Sequence, residues 1–444
     1  MRRGRFFALL LGLVLAAGLP AGGQEERRDG VEPSPWPLDT VLTPAALWTT
    51  PADSFVKEHK ALGFRWNSTA HDSAQTTRKG ATLFGIPVVQ TLLRVKEGAI
   101  RRATLYFYNR GDSGDITRSD YEALIRNAVE AIARETGVKL QDQGRDSSSA
   151  VRAYGMTGES ENAVYLLEYS FTRESRGIPF RGEFVRLEVA PKQEPVSLLE
   201  EARKAREESV PFRGSDHVKR DTASGEVVLE GIPMVDQGQK GYCVVASAER
   251  VLRYYGVRVD SHELAQLANS SAEGGTSVSA MTESLKKLTA RLRVRTRTQI
   301  EFEYKEFLKM MDDYNRQAKR AGKEPIEVSE YGFDLTEIYG KMEPDVLRAT
   351  RTRSKGDLSR FMRHVKNHID KGVPLLWSVM LGVIPEEEIN PQTVGGHMRL
   401  IIGYNEKTQE LVYSDSWGIR HEVKRMPIPD GWSITTGLST LEPL

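Results

Sequence analysis

Cys243 is the single cysteine among 444 residues, and the glycine-containing segment 238–241 leads directly into the helical pattern that follows it. A thiol at the N-terminus of a helix faces the positive end of the helix dipole and the unpaired N–H groups of the first turn, which favour thiolate over thiol. The sequence therefore offers Cys243 as a nucleophile. The alternative is a small buried apolar residue, the commonest role of a free cysteine.

A thiol nucleophile needs a base, and the base needs a group that orients it. His397 precedes the apolar strand pattern 398–404, and a second strand pattern covers residues 410–418 after a polar turn. A hairpin centred near Glu406 would place His397 opposite Asp415, with Cβ atoms roughly 5 Å apart. An adjacent carboxylate fixes the tautomer of an imidazole and stabilises its cation. His421 is the alternative base if the register differs.

Gln237 lies six positions before the cysteine, far enough for a loop to bring its amide back beside the helix N-terminus. Together with the backbone N–H of Cys243, that amide would stabilise the oxyanion formed when a thiolate attacks an acyl carbon. Gln239 is the competing candidate. His364 and His368 are four apart on a predicted helix, but no third ligand accompanies them, so we interpret them as surface residues. We predict no metal and no cofactor.

These motifs are similar to those of a known family. The segments are 232–238 (IPMVDQG), 241–243 (GYC), 254–256 (YYG), 396–397 (GH) and 415–418 (DSWG). They resemble the C39-like branch of papain-fold cysteine peptidases, over the second domain only. The resemblance implies that Cys243 is the nucleophile, His397 the general base and acid, Asp415 the orienting group and Gln237 the oxyanion donor. It also implies a helix headed by the cysteine and packed on an antiparallel sheet.

The chain departs from better-known relatives in two respects. Asp415 stands where papain has an asparagine, and Tyr242 and Val244 flank the cysteine where papain has a small residue and an aromatic one. Relatives that cut leader peptides after Gly-Gly are fused to membrane transporters, whereas this sequence offers no membrane helix. Specificity for Gly-Gly is therefore not implied.

The elements that must position these residues predict an α+β protein with two domains. Strand patterns at residues 83–95, 103–108, 163–171 and 182–189 surround a helical pattern at 121–136, which indicates a small domain with an antiparallel sheet. We predict a signal peptide at residues 1–23, an N-terminal α+β domain at 24–191, a charged linker at 192–225 and a papain-like domain at 226–444.

The first 23 residues have the pattern of a secretory signal: three arginines, an apolar core at residues 6–15 and small residues up to 23. No later segment has the roughly 18 apolar residues of a membrane helix. We therefore expect a secreted or periplasmic protein. With 62 basic and 61 acidic residues, its charge gives no reason to expect a nucleic acid or an anionic membrane as partner.

The sequence thus predicts an exported cysteine peptidase that acts on a peptide or protein substrate. Two alternatives use the same fold: an acyl transferase or deamidase with the same groups, and a non-catalytic module that only binds a peptide. The N-terminal domain is either a recognition module or an inhibitory prosegment. Substrate specificity and oligomeric state are left open by the sequence.

Overall fold

The computed structural model describes residues 36–146, 151–174, 179–192, 212–238, 241–257, 259–270, 278–287, 292, 294–329, 332–387 and 390–444. The predicted signal peptide and most of the predicted linker lie outside these residues. Within them, no helix has the length and apolar character that crossing a bilayer requires.

The first half of the chain is built on an antiparallel sheet. Its strands and those of a smaller sheet are β1 (Trp36–Pro37), β2 (Arg65–Trp66), β3 (Ser73–Thr76), β4 (Ala81–Leu83), β5 (Ile86–Pro87), β6 (Gln90–Lys96), β7 (Ala99–Asn109), β8 (Gln141–Asp146), β9 (Ala153–Glu159), β10 (Ala163–Thr172) and β11 (Arg181–Pro191). The large sheet has the order β2-β3-β6-β7-β11-β10-β9-β8, and β1, β4 and β5 form the small one.

Four helices accompany these strands in the described part: α1 (Pro44–Thr49), α2 (Ala52–Glu58), α3 (Arg110–Ser113) and α4 (Arg118–Thr136). The start and end of α4 follow the local signals in the sequence. The Thr117 side chain caps the first turn by accepting from the backbone N–H of Asp120, and Gly137 ends the helix in the left-handed conformation. The helices pack on the sheet around a buried apolar core that includes Phe55, Leu105 and Ile132.

The second half contains its own antiparallel sheet. Its strands are β12 (Val218–Asp221), β13 (Glu226–Leu229), β14 (Val294–Ile300), β15 (Leu375–Leu381), β16 (Gly395–Asn405), β17 (Glu410–Ser414), β18 (Lys424–Pro427) and β19 (Thr435–Pro443). The order is β12-β13-β16-β15-β19-β14, with β17 paired to both β16 and β18. Strand β12 lies inside the segment predicted to be linker and pairs with β13, so this sheet begins earlier than the sequence pattern indicated.

Helices cover both faces of this sheet. They are α5 (Cys243–Tyr254), α6 (Ser261–Leu267), α7 (Val278–Lys287), α8 (Tyr304–Arg320), α9 (Leu335–Gly340), α10 (Pro344–Arg351), α11 (Lys355–Ile369) and α12 (Ile428–Ile434). Side chains alternate between the two faces of a strand. Accordingly Met398 and Leu400 of β16 join the apolar core around α5, and Ile401 joins the core around Trp377 and the later helices. Apolar cores therefore pack against both faces of β16 and hold it in place.

Candidate functional site

His397 and Asp415 meet at the start of β16, fully buried. Nε2 of His397 lies 2.9 Å from Oδ1 of Asp415, and both side chains have 0 % exposure. A carboxylate accepts hydrogen bonds, so this contact fixes the proton of a neutral imidazole on Nε2. The hairpin predicted from the sequence places these two residues near each other, and in the structure their side chains are in direct contact.

The register of the hairpin differs from the predicted one. Leu400 is the partner of Ser414 and Asn405 is the partner of Glu410, with an irregularity between Ile401 and Gly403. In this register Asp415 continues opposite residue 399, and His397 is a diagonal neighbour rather than the directly opposite residue. The turn centre falls later than Glu406 because Asn405 starts the turn, with its side chain accepting from the backbone N–H groups of residues 407 and 408. Diagonal neighbours are still within reach of long side chains.

Two cations also contact the Asp415 carboxylate. Nε of Arg399 donates to Oδ1 over 2.8 Å, and Nζ of Lys424 donates to Oδ2 over 3.0 Å. Burial alone would raise the pKa of Asp415, but the charge of Arg399, the hydrogen bond from His397 and the charge of Lys424 outweigh it and hold that pKa well below its usual range. Asp415 is therefore ionised at neutral pH.

The other side of the imidazole packs on Trp417. The two rings are parallel, with centroids 4.2 Å apart and an interplanar angle of 4°. Nδ1 of His397 is buried and makes no hydrogen bond to the described residues. Burial lowers the pKa of His397, and Asp415 opposes that change only in part. The resting imidazole is therefore neutral, with its lone pair on Nδ1.

Cys243 is the first residue of α5. The side chain is 6 % exposed. Burial raises the pKa of its thiol to about 11, although backbone N–H groups of Met398, Val244 and Cys243 itself act in the opposite direction. The backbone donors at the helix N-terminus thus act in the expected direction, towards thiolate, but the loss of hydration outweighs them and keeps the thiol protonated.

The thiol lies against the backbone of the strand that carries His397, and His397 Nδ1 makes no hydrogen bond to it. The Met398 backbone N–H, which acts on the thiol, belongs to the residue directly after His397. One turn along the helix, the hydroxyl of Ser247 donates to the carbonyl oxygen of Met398 over 3.4 Å. The structure therefore brings the start of α5 against the start of β16.

Gln237 lies beside the segment that carries Asp415. Its backbone N–H donates to the carbonyl oxygen of Ser416 over 2.9 Å, and its side chain is buried. The next backbone N–H, of Gly238, donates to the side chain of Asp236 over 2.9 Å. The competing oxyanion candidate, Gln239, lies outside the described residues.

Arg250 ties three pieces of the site together from the middle of α5. Its guanidinium is buried and donates to the carbonyl oxygens of Pro233 and Asp415, each over 2.9 Å, and to the hydroxyl of Ser414 over 2.6 Å. Burial lowers the pKa of Arg250 to about 10, while the charge of Asp415 opposes the shift. The group stays charged at neutral pH and fixes the helix, the Gln237 loop and the end of β17 relative to one another.

The N-terminal half packs against the residue that precedes the thiol. A Cβ atom on Gly111 would lie 2.2 Å from the hydroxyl oxygen of Tyr242, so only a glycine allows this contact. Nearby, the guanidinium of Arg65 pairs with Asp236 over 3.0 Å. The loop before Cys243 is thus held by both halves of the chain.

A buried group of charges continues this interface along α6. Arg186 of β11 pairs with Glu263 over 3.1 Å and with Asp260 over 3.6 Å, and Asp260 also accepts from the Tyr106 hydroxyl over 2.6 Å. Within its own half, Arg186 pairs with Glu168 over 2.8 Å. These charges are removed from water only while the two halves are in contact.

Sequence reasoning missed the residues around Asp415. Arg399 did carry a signal, because it is the one charged residue in an otherwise apolar strand and shares the face of His397 two residues earlier. Lys424 and Arg250 had no comparable signal. The alternative base His421 contacts Trp417 edge-on, with ring centroids 5.6 Å apart.

The histidine pair on α11 has a local explanation. Nδ1 of His368 donates to the carbonyl oxygen of His364 over 2.7 Å, and the two ring centroids are 6.4 Å apart. In the part of the chain that the structure describes, no group of three or more His, Cys, Asp and Glu side chains is placed to hold a metal ion.

Comparison with models of protein families gives a match in the second half of the chain. Residues 229–438 match the family model described as the Peptidase_C39 like family. The matched segment contains Gln237, Cys243, His397 and Asp415. No curated protein matches the chain. The resemblance read from the motifs is therefore confirmed for this part of the chain, and the family suggests a cysteine peptidase.

Proposed function

We propose that this protein, C39-like between residues 229 and 438, is an exported cysteine peptidase. The observation that carries the proposal is the buried contact between His397 Nε2 and Asp415. That contact leaves Nδ1 of His397 as the proton acceptor. The next residue on the strand, Met398, has its backbone N–H against the Cys243 thiol. A nucleophile, an oriented base and an orienting carboxylate form the constellation needed for acyl transfer.

In the proposed reaction, the thiol of Cys243 gives its proton to Nδ1 of His397 as the sulfur attacks the peptide carbonyl carbon. The backbone N–H of Cys243 and the side-chain amide of Gln237 stabilise the oxyanion. The imidazolium then protonates the leaving amine as the C–N bond breaks, which leaves a thioester. Water, deprotonated by His397, attacks the thioester and releases the acid and the thiol.

The resting pair in this mechanism is a neutral thiol and a neutral imidazole. Burial raises the pKa of Cys243 to about 11 and lowers the pKa of His397. Proton transfer therefore accompanies attack and is not completed beforehand. Asp415 contributes by stabilising the imidazolium when it forms, although two cations share its charge.

The test is cleavage of a peptide library by the wild type and by Cys243→Ser. We expect the variant to lose cleavage by at least about 10³-fold, because a hydroxyl is a far weaker nucleophile beside a base tuned for a thiol. Ser224→Ala, a substitution in an exposed turn, is the control and should cleave like the wild type. Undiminished cleavage by Cys243→Ser would refute the mechanism.

One observation favours a second candidate, a non-catalytic peptide-binding module. The imidazole Nδ1 makes no hydrogen bond to the thiol or to any other described group. Intact mass after iodoacetamide treatment separates the two candidates, because Cys243 is the single site of alkylation. Labelling that falls with acid and in His397→Ala supports the enzyme, whereas a thiol inert at every pH supports the module.

Export is a further part of the proposal and is supported by residues 1–23 alone. Basic residues, a short apolar core and small residues in that order are typical of a cleaved signal. Expression of the full chain in a bacterial host, followed by N-terminal sequencing of the extracytoplasmic protein, tests it. We expect a mature N-terminus near residues 21–24, and retention of Met1 in the cytoplasm would contradict export.

A further inference from the structure

Asp415, which contacts His397, is one of four charged side chains that form a closed ring of ion pairs. Arg399 donates through Nε to Asp415 over 2.8 Å and through Nη2 to Glu386 over 2.7 Å. Lys424 donates to the other oxygen of Asp415 over 3.0 Å and to the other oxygen of Glu386 over 2.7 Å. Each acid is bridged by both bases, so the ring carries no net charge.

The ring is buried, and two of its members take further hydrogen bonds from residues outside it. The four side chains are 0–9 % exposed. Glu386 also accepts from the hydroxyl of Tyr413 over 2.7 Å, and Lys424 also donates to the side chain of Asn390 over 2.7 Å. Buried charges are expensive unless they are paired and hydrogen-bonded. All four charges of the ring are paired, although Nη1 of Arg399 is buried and makes no hydrogen bond to the described residues.

The ring also joins separate parts of the second half. Arg399 lies on β16 two residues after His397, Asp415 follows β17, Lys424 begins β18, and Glu386 belongs to the segment between β15 and β16. The geometry of Asp415 thus depends on four stretches of chain. The contact with His397 uses one of the three hydrogen bonds that the carboxylate accepts from these side chains.

We propose that Arg399, Glu386 and Lys424 are positioning residues, which hold Asp415 ionised and aimed at His397 Nε2 and limit how strongly its charge retains a proton on the imidazole. This inference rests on the proposed function for its catalytic meaning. The electrostatic effect of the ring on His397 can be tested without a substrate.

The direction of each effect follows from the sign of the charge removed. Loss of Lys424 leaves more of the Asp415 charge to stabilise the imidazolium, so the pKa of His397 rises. Loss of Glu386 leaves both cations acting on Asp415 and His397 without compensation, so the pKa of His397 falls. The two substitutions therefore act in opposite directions, which a purely structural role would not produce.

The titratable and charged groups that face His397 come from several elements. From the sheet they are Asp415, Arg399 and Glu386, which act on its pKa directly, and Lys424 through Asp415. Three further groups contact the neighbours of His397: the thiol of Cys243 contacts the Met398 backbone, Arg250 donates to the Asp415 carbonyl, and His421 packs against Trp417. Only Lys424 and Glu386 change in the test.

The experiment is an NMR titration of the full chain with isotope-labelled histidine, in which His397→Ala identifies the His397 signal. Lys424→Met should raise the titration midpoint of His397 by about one pH unit, and Glu386→Gln should lower it. Arg425→Met is the matched control, because Arg425 neighbours Lys424 on β18 but pairs with Glu226 at the surface. It should leave the midpoint unchanged.

Shifts of equal sign, or no shift in either variant, would overturn the inference. If Lys424→Met does not fold, Glu386→Gln, which keeps the shape of the side chain, decides the question alone. Lys424→Arg keeps the charge and should keep the wild-type midpoint.

The same variants separate this inference from the proposed function. Opposite NMR shifts in a protein that cleaves no peptide would support the ring and refute the peptidase. If the protein cleaves peptides but neither substitution changes the titration midpoint of His397, the peptidase is supported and the positioning role of the ring is refuted. If both hold, the acidic midpoint of kcat/KM moves with the NMR midpoint in each variant.

Discussion

At the scale of single residues, the sulfur of Cys243 is subject to two opposing effects. Backbone N–H groups at the start of α5 and from Met398 favour thiolate, and burial favours thiol. Burial prevails and places the pKa at about 11. In the proposed mechanism, the thiol is therefore unreactive until a substrate carbonyl arrives, and the rate then depends on how readily His397 takes the proton.

The pH dependence of peptide cleavage follows from this arrangement. His397 acts as a base only when it is neutral, and its pKa is lowered because burial outweighs the effect of Asp415. We therefore expect the acidic midpoint of kcat/KM to lie below 6.5, the ordinary value for histidine. A pH–rate profile measures it, with return to neutral pH as the control for irreversible unfolding. A midpoint above 6.5 would contradict the lowered pKa.

At the scale of elements, α5 is positioned by more than its apolar face. Arg250 connects the helix to the loop before Gln237 and to the end of β17, through three hydrogen bonds from one guanidinium. A planar guanidinium offers donors in fixed directions, which an ammonium group does not. The relative positions of Cys243, Gln237 and Asp415 thus depend on Arg250, a side chain that takes no part in the proposed reaction.

Arg250→Met should destabilise the protein by about 3 kcal/mol, because it removes a buried charge and leaves its three buried acceptors unpaired. Urea unfolding followed by far-ultraviolet circular dichroism measures the change. Arg220→Met removes an exposed ion pair with Asp370 and should cost less than about 1 kcal/mol. Equal effects of the two substitutions would argue against the role of Arg250.

Local patterns predicted some elements well and others not at all. The cap at Thr117 and the stop at Gly137 defined α4, and alternating apolar residues defined β10, β11 and β16, because these signals lie within a few residues of the element. Strands β8 and β9 were missed, since they carry many polar residues and glycines. The hairpin register was wrong by two, because an irregularity at Gly403 and the turn formed by Asn405 cannot be read from periodicity.

The site was predictable to the same extent. Cys243 is predicted by a helix start and His397 by a strand start. Asp415 is predicted by the approximate pairing of the two hairpin strands. The partners of Asp415 depend on how four separate segments converge, which no single stretch of sequence records. The protonation of the thiol depends on burial, and burial is a property of the whole fold.

At the scale of the whole molecule, the two halves share a buried group of charges. Arg186, Glu263 and Asp260 lie between β11 and the start of α6, in contact with Tyr106. An interface that buries several charges is costly to open, because each charge left unpaired in an apolar setting loses its compensation. This favours a permanent association of the halves over a readily released prosegment.

Glu263 makes this interface sensitive to pH. Burial raises the pKa of its carboxyl to about 7, although Arg186 opposes the shift. The folded state therefore binds more protons than the unfolded state between pH 4.5 and 7, and this group's contribution to stability falls as the pH rises through that window. Glu263→Gln removes the effect, so its stability relative to the wild type should improve from pH 5 to pH 8, by up to about 3 kcal/mol.

Urea midpoints at the two pH values measure this change. Glu230→Gln, which alters an exposed pair with Lys219, is the control and should show no such pH-dependent gain. A Glu263→Gln variant whose relative stability declines towards pH 8 would show that the ion pair with Arg186 outweighs burial.

Arg186 has acidic partners in both halves, whereas Glu263 has its partner in the other half, and this difference decides which half would bear an unpaired charge. Arg186 has Glu168 in its own half, over 2.8 Å, so its charge is matched as soon as that half folds. Glu263 has its ion pair across the interface, on Arg186. If the halves separated, Arg186 would keep a counter-charge and Glu263 would lose its own, so the uncompensated charge of an opened interface would lie on the half that carries the thiol.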